Sequence, residues 1–173
     1  MGGIRGMIAR GVLALVDSSP KLQALQARIT AGEVKGGLEH FESYGFTSNP
    51  KPGAEMLVAF LGGDRSHGAV FCVADRRYRL QGLESGEVAL YSDEGDSVVL
   101  RRGRVVEVTT EVFRLNAKRC ELNVAEEISL NTPLVSAPGD LDVDGEVRAG
   151  PVSVRGHVHK GVQPGNGTSG EAV

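Results

Sequence analysis

Leu122-Asn123-Val124-Ala125-Glu126-Glu127-Ile128-Ser129-Leu130-Asn131-Thr132-Pro133-Leu134-Val135-Ser136-Ala137-Pro138-Gly139-Asp140-Leu141-Asp142-Val143 is written in apolar pairs. Leu122/Val124, Ile128/Leu130, Val135/Ala137 and Leu141/Val143 each place two apolar residues two positions apart, with polar or turn residues between pairs. Such spacing puts both members of a pair on one face of a strand. The pattern extends outward through Val98/Leu100, Val106/Val108 and Phe113/Leu115 on one side, and Val147/Ala149 and Val152/Val154 on the other. The intervals, mostly about six or seven residues, read as a repeat architecture. Each strand is too short, and its apolar face too narrow, to build a core alone. Three chains wound around one axis would bury all these faces together. Stacked at ~4.8 Å per strand, such segments make a rod on the order of 40 Å long.

The repeat runs out at Gly156-His157-Val158-His159-Lys160-Gly161. On a strand, His157 and His159 point to the same side and Val158 to the other. Two imidazoles hold a metal poorly, but three chains would supply an octahedral set, which suits a first-row transition ion. Zinc prefers four tetrahedral ligands and fits such a cage badly. Iron(II) is the expected metal, one ion per trimer, chosen by geometry and availability over nickel or copper. With every position filled by histidine, no site remains for water, so the ion acts as a staple and not as a catalyst. His40 and His67 have no comparable neighbour and read as structural or surface residues. The stretch from Gly161 to Gly170 is too Gly-rich for another domain and reads either as a disordered tail or, by preference, as a segment that folds back over the tip.

Composition agrees with a chain that buries small side chains. It has 24 glycines in 173 residues and no Trp, and aromatic residues make up 5%. The bulky rings that usually fill a globular core are scarce. A net charge of -3 points to no polyanionic partner. Cys72 and Cys120 lack the spacing of a disulfide framework and read as occasional buried thiols in a reducing compartment. Near the N-terminus the apolar run Val12–Val16 is too short to span a bilayer and lacks a convincing cleavage site after it. The expected product is soluble and made in the cytoplasm.

Residues 1–16 place Ile4, Met7, Ile8, Val12 and Leu15 at spacings of three and four, which predicts a short amphipathic helix that docks on a neighbouring protein. Residues 20–29 read equally as helix or strand. Further on, Val34–Phe41, Glu55–Leu61, Gly68–Ala74 and Gly86–Tyr91 are short apolar runs ended by turn signals such as Gly62-Gly63-Asp64 and Ser92-Asp93-Glu94-Gly95. Strands at this spacing predict a small closed barrel or sandwich.

Several longer words in this region carry a resemblance. They are Glu39-His40-Phe41-Glu42-Ser43-Tyr44-Gly45-Phe46-Thr47-Ser48-Asn49-Pro50-Lys51-Pro52-Gly53-Ala54-Glu55, Phe60-Leu61-Gly62-Gly63-Asp64-Arg65-Ser66-His67-Gly68, Tyr78-Arg79-Leu80, Gly82-Leu83 and Gly86–Tyr91. Together they resemble the phage Mu type of baseplate assembly protein V, the central spike of contractile phage tails. The resemblance implies an all-β homotrimer with an OB-fold barrel followed by a triple-stranded β-helix. It also implies an apex iron held by the pair carried onto His157 and His159. The expected organisation is a helical hub-docking segment over 1–30, the OB-fold domain over 31–95, the β-helix over 96–155 and the metal-binding apex over 156–173. The implied partners are the baseplate hub and, transiently, the host outer membrane, which the spike crosses when the sheath contracts. The implied location is the tail baseplate tip of the virion, after assembly in the host cytoplasm. Phe41, Tyr44, Phe46 and Tyr78 are too few for a base-stacking platform, so no nucleic acid is expected.

Two other readings compete. A trimeric β-helix enzyme with an interface metal site needs histidines within its coils and an open coordination position; here the pair follows the last coil. A carbohydrate-binding barrel would show Trp and more Tyr.

Overall fold

Ile8-Ala9-Arg10-Gly11-Val12-Leu13-Ala14-Leu15-Val16-Asp17 alternates its environment: Gly11 and Leu13 are buried, while Ile8, Arg10 and Val12 are exposed. In the computed structural model, which describes residues 7–158 together with 161 and 165, this segment is a strand. The strands are β1 (Ile8–Asp17), β2 (Ala24–Thr30), β3 (Glu33–His40), β4 (Glu55–Phe60), β5 (Gly68–Ala74), β6 (Val88–Tyr91), β7 (Ser97–Arg101), β8 (Val105–Thr109), β9 (Arg148–Ala149) and β10 (Val152–Ser153). The expected N-terminal helix is therefore corrected over residues 8–16; residues 1–6 lie outside the described set. The reason is physical. A helix would carry Gly11 in its interior at a cost of about 1 kcal/mol relative to Ala. As a strand, the same segment pairs on both sides, with β2 and with β4.

The described residues fall into two units, divided between Asn116 and Ala117. The first unit holds a closed barrel in the order β1-β2-β3-β5-β4, with β4 returning to β1. All its pairings are antiparallel except the short parallel contact of β3 with β5. This is an all-β, OB-fold-like barrel. It uses residues 8–74, so two of its strands come from the segment expected as a docking arm. Residues 20–29, ambiguous by pattern, supply β2.

Closing so small a barrel takes strong local twist. Leu25 faces Leu38 but Ala27 faces Lys35, so β3 carries one extra residue there. Gly37 takes it up with a φ of 65°, a conformation that costs glycine little. Such bulges sharpen strand twist. Leu13, Leu25, Leu38, Met56, Val58, Phe60 and Val70 fill the interior. At Gly68 a Cβ would meet Leu38 Cδ2 at 2.5 Å and Val58 Cγ2 at 3.0 Å, both core atoms. Gly68→Ala should therefore overpack the barrel and destabilise it by about 1–3 kcal/mol. A thermal or urea melt would read this, and an unchanged midpoint would contradict the packing.

Polar groups close the barrel ends. Arg65 donates to both Glu33 oxygens at 3.0 and 2.6 Å and lies 4.5 Å from the Phe60 ring centroid. Hydrogen bonds from Arg65 hold the Glu33 carboxyl below its ordinary pKa. Buried His40 has Nδ1 3.1 Å from Gln23 Oε1, and Gln23 Nε2 donates to the Ser48 carbonyl at 2.6 Å. Burial pushes the Glu42 carboxyl up. Hydrogen bonds from the Ser48 N–H and from the Thr47 and Ser48 hydroxyls, with His40 nearby, outweigh that and leave it below its ordinary value. The resemblance word around Glu42 is thus a hydrogen-bonded loop tied to the barrel through Gln23.

After the barrel, β6, β7 and β8 form an antiparallel sheet. The Lys51–Asp93 ion pair links the barrel loop to its first turn. Register puts Val88 opposite Leu100, Leu90 opposite Val98, Val98 opposite Val108 and Leu100 opposite Val106. Directly opposed residues share a face. These side chains line one apolar face that is exposed in the single chain, while Val99 on the other face is buried.

The second unit behaves differently. Among its described residues the only ladder is β9 with β10. Leu122, Val124, Ile128, Leu130, Leu134, Val135, Leu141 and Val143 are all exposed, Leu134 at 76% and Leu141 at 77%.

Candidate functional site

The apex begins in the β9–β10 hairpin. Gly150, with a φ of 62°, makes its turn. Val152 pairs with Ala149 and Ser153 with Arg148, and the Val154 N–H then donates to the Val147 carbonyl at 2.9 Å. This hairpin carries two of the apolar pairs read from the sequence, Val147/Ala149 and Val152/Val154.

Beyond Val154 the chain turns sharply. Ser153 Oγ donates to Glu146 Oε2 at 2.9 Å and accepts the Gly156 N–H at 2.8 Å. Arg155 Nη1 reaches the Asp144 carbonyl at 3.5 Å. His157 follows, exposed, with Nδ1 3.0 Å from the Val154 carbonyl oxygen. A carbonyl oxygen can only accept, so Nδ1 carries the proton in this contact. In the neutral ring the lone pair is then on Nε2, the atom that would face a metal ion. Histidines that bind metals commonly donate their other ring N–H to a carbonyl or carboxylate in this way. On that test the donor chemistry of His157 fits a metal ligand.

His159, its expected companion, lies outside the described residues, as does most of the Gly-rich end after it. Val158 is 87% exposed. Among the described residues of one chain there is no cluster of three or more His, Cys, Asp or Glu side chains that could hold a metal ion. The other two histidines sit elsewhere. His40 is built into the barrel, and His67 is exposed beside Asp64 and Ser66. This matches the structural or surface roles expected for them. Sequence reading passed over Ser153 and Glu146; the signal was a Ser three residues before the Gly-His step.

Comparison with known proteins follows the same two parts of the chain. The family model described as "Bacteriophage Mu Gp45, N-terminal" matches residues 10–77, which is the barrel. A second, described as "GpV Apex motif", matches residues 152–173, which begins at β10. The chain is 33% identical over 144 residues to the baseplate puncturing device gp45 of Escherichia phage Mu, covering 83% of this chain and 69% of that protein. It is 30% identical over 143 residues to the Mu-like prophage FluMu protein gp45 of Haemophilus influenzae, covering 83% of this chain and 78% of that one.

Proposed function

The chain belongs to the bacteriophage Mu Gp45 family of phage tail baseplate proteins, and on that premise we propose that it is a homotrimeric spike that pierces the host outer membrane. The family is structural, and the chain is a component of the virion tail baseplate and not an enzyme.

One observation carries the trimer: the apolar pairs from Phe113 to Val154 remain exposed in a single chain that offers them almost no partner strands among its described residues. A side chain such as Leu, moved fully out of water, contributes about 1.5–3 kcal/mol. A soluble monomer seldom exposes so long an apolar row. Three copies wound as a β-helix from residue 96 to 155 would pair these strands between chains. They would also cover the Val88/Leu90/Val98/Leu100/Val106/Val108 face. Strands hydrogen-bonded between chains resist being pulled apart, which suits a rod that transmits force.

At the tip, His157 and His159 of three chains would hold one iron ion, joining the chain ends where apolar side chains give out. The ion supplies coordination and no turnover. The barrel end would seat beneath the baseplate hub, leaving the apex to meet the outer membrane first. A gold-labelled antibody against a C-terminal tag should mark the distal tail tip of assembled particles. Label on the capsid or along the sheath would contradict this placement.

A further inference from the structure

We infer that the cavity between the β1–β2 connection and the loop after β3 is a docking site for an arginine side chain presented by a partner protein. The site lies wholly within the barrel unit, among residues 18–49, and depends on neither the trimer nor the apex metal.

The cavity holds about 430 Å³, with apolar walls from Pro20, Leu22 and Phe46 and polar ones from Gln23, His40 and Glu42. The His40 side chain is only 6% exposed. Gln23 Nε2 donates to the Ser48 carbonyl at 2.6 Å, so Gln23 Oε1 is the atom that faces His40 Nδ1. An amide oxygen only accepts, so Nδ1 carries the proton and the neutral ring keeps a lone pair on Nε2. That nitrogen has no hydrogen-bond partner among the described residues. No fully buried side-chain nitrogen or oxygen among them lacks a partner, so Nε2 is open to the cavity that His40 lines. Glu42 lines the same space as a carboxylate, fixed by the Ser48 N–H and the Thr47 and Ser48 hydroxyls. Two acceptors, one of them charged, suit a cationic donor and repel an anion. Lys21 also lines the cavity, but it is exposed and water screens its charge. Arginine fits better than lysine: its planar head carries five donors, enough for both acceptors, and its stem packs on apolar walls. The loop itself is braced, since the Phe46 N–H donates to the Ser43 carbonyl at 2.9 Å. On it Phe41, Tyr44 and Phe46 are nevertheless exposed, Tyr44 entirely. Aromatic residues and arginine are the side chains that dominate binding at protein interfaces.

The test titrates the full chain, isotopically labelled at its histidine ring nitrogens, with N-acetyl-arginine methylamide, a mimic of arginine within a protein. Nuclear magnetic resonance follows the His40 Nε2 signal, assigned by its loss in His40→Gln. Nε2 should carry no proton and should shift saturably. The matching citrulline compound, a neutral isostere, should bind about 10–100-fold more weakly, as loss of a charge-assisted hydrogen bond requires. Phe46→Ala removes a wall and leaves the His40–Gln23–Ser48 bonds in place, and it should weaken the arginine compound several-fold. A proton on Nε2, no saturable shift, or equal binding of the two compounds would overturn the inference. Unchanged binding in Phe46→Ala would overturn it as well. Free arginine binding better than the capped form would make this an amino-acid site and overturn the protein partner.

Discussion

Replacing Ile128 and Leu130 together by Asp should leave a chain that folds its barrel and no longer assembles. Both residues lie in the second unit and are exposed in the single chain, at 53% and 65%. In the proposed three-chain rod they would face the axis. The change removes apolar burial worth about 1.5–3 kcal/mol per side chain. It also brings carboxylates from three chains together away from water, and an unpaired buried charge costs still more. The barrel core, built from residues between Leu13 and Val70, does not include them and should melt unchanged. Sedimentation of the purified variant should show a monomer, and particles carrying it should adsorb without breaching the outer membrane. An intact trimer would mean that this row does not line the axis. The same substitutions at Glu126 and Glu127, already charged and exposed, should leave assembly as it is.

The second large effect is expected at the tip. With His157 and His159 both changed to Ala, bound metal should fall from about one ion per three chains to none, as loss of ligating side chains requires. The trimer should persist, because its apolar rows lie upstream of the pair. Acidifying the unchanged protein should release the ion, since a protonated imidazole cannot ligate. Metal that stayed bound at pH 4 would argue for ligands other than histidine. A double variant that fell apart into monomers would make the ion a requirement for assembly and not a staple at its end.

Much of this was legible in the residues. The strands predicted from Val34, Glu55, Gly68 and Gly86 onward appear as β3, β4, β5 and β6, because short apolar runs bounded by Gly and Asp leave little choice. Residues 8–16 misled, since Ile8, Val12 and Leu15 satisfy helical spacing as well as a strand that exposes them. What decides between the two is the ladder of β1 with β4, more than 40 positions away in the chain, and no local pattern reports it. The same omission moved the start of the barrel, whose first strands were counted as an arm. The pairs from Leu122 to Val143 were visible as a pattern, yet one chain cannot show their partners. The turn over residues 153–156 escaped notice for another reason: Ser is too common a residue to announce a hydrogen bond to a backbone N–H three positions on.

The central claim is that three chains complete one another, and the mass of the intact assembly tests it most directly. Native mass spectrometry of the full-length protein should give three times the 18.2 kDa chain plus a single transition-metal ion. A stable 18.2 kDa monomer under the same conditions would contradict the account.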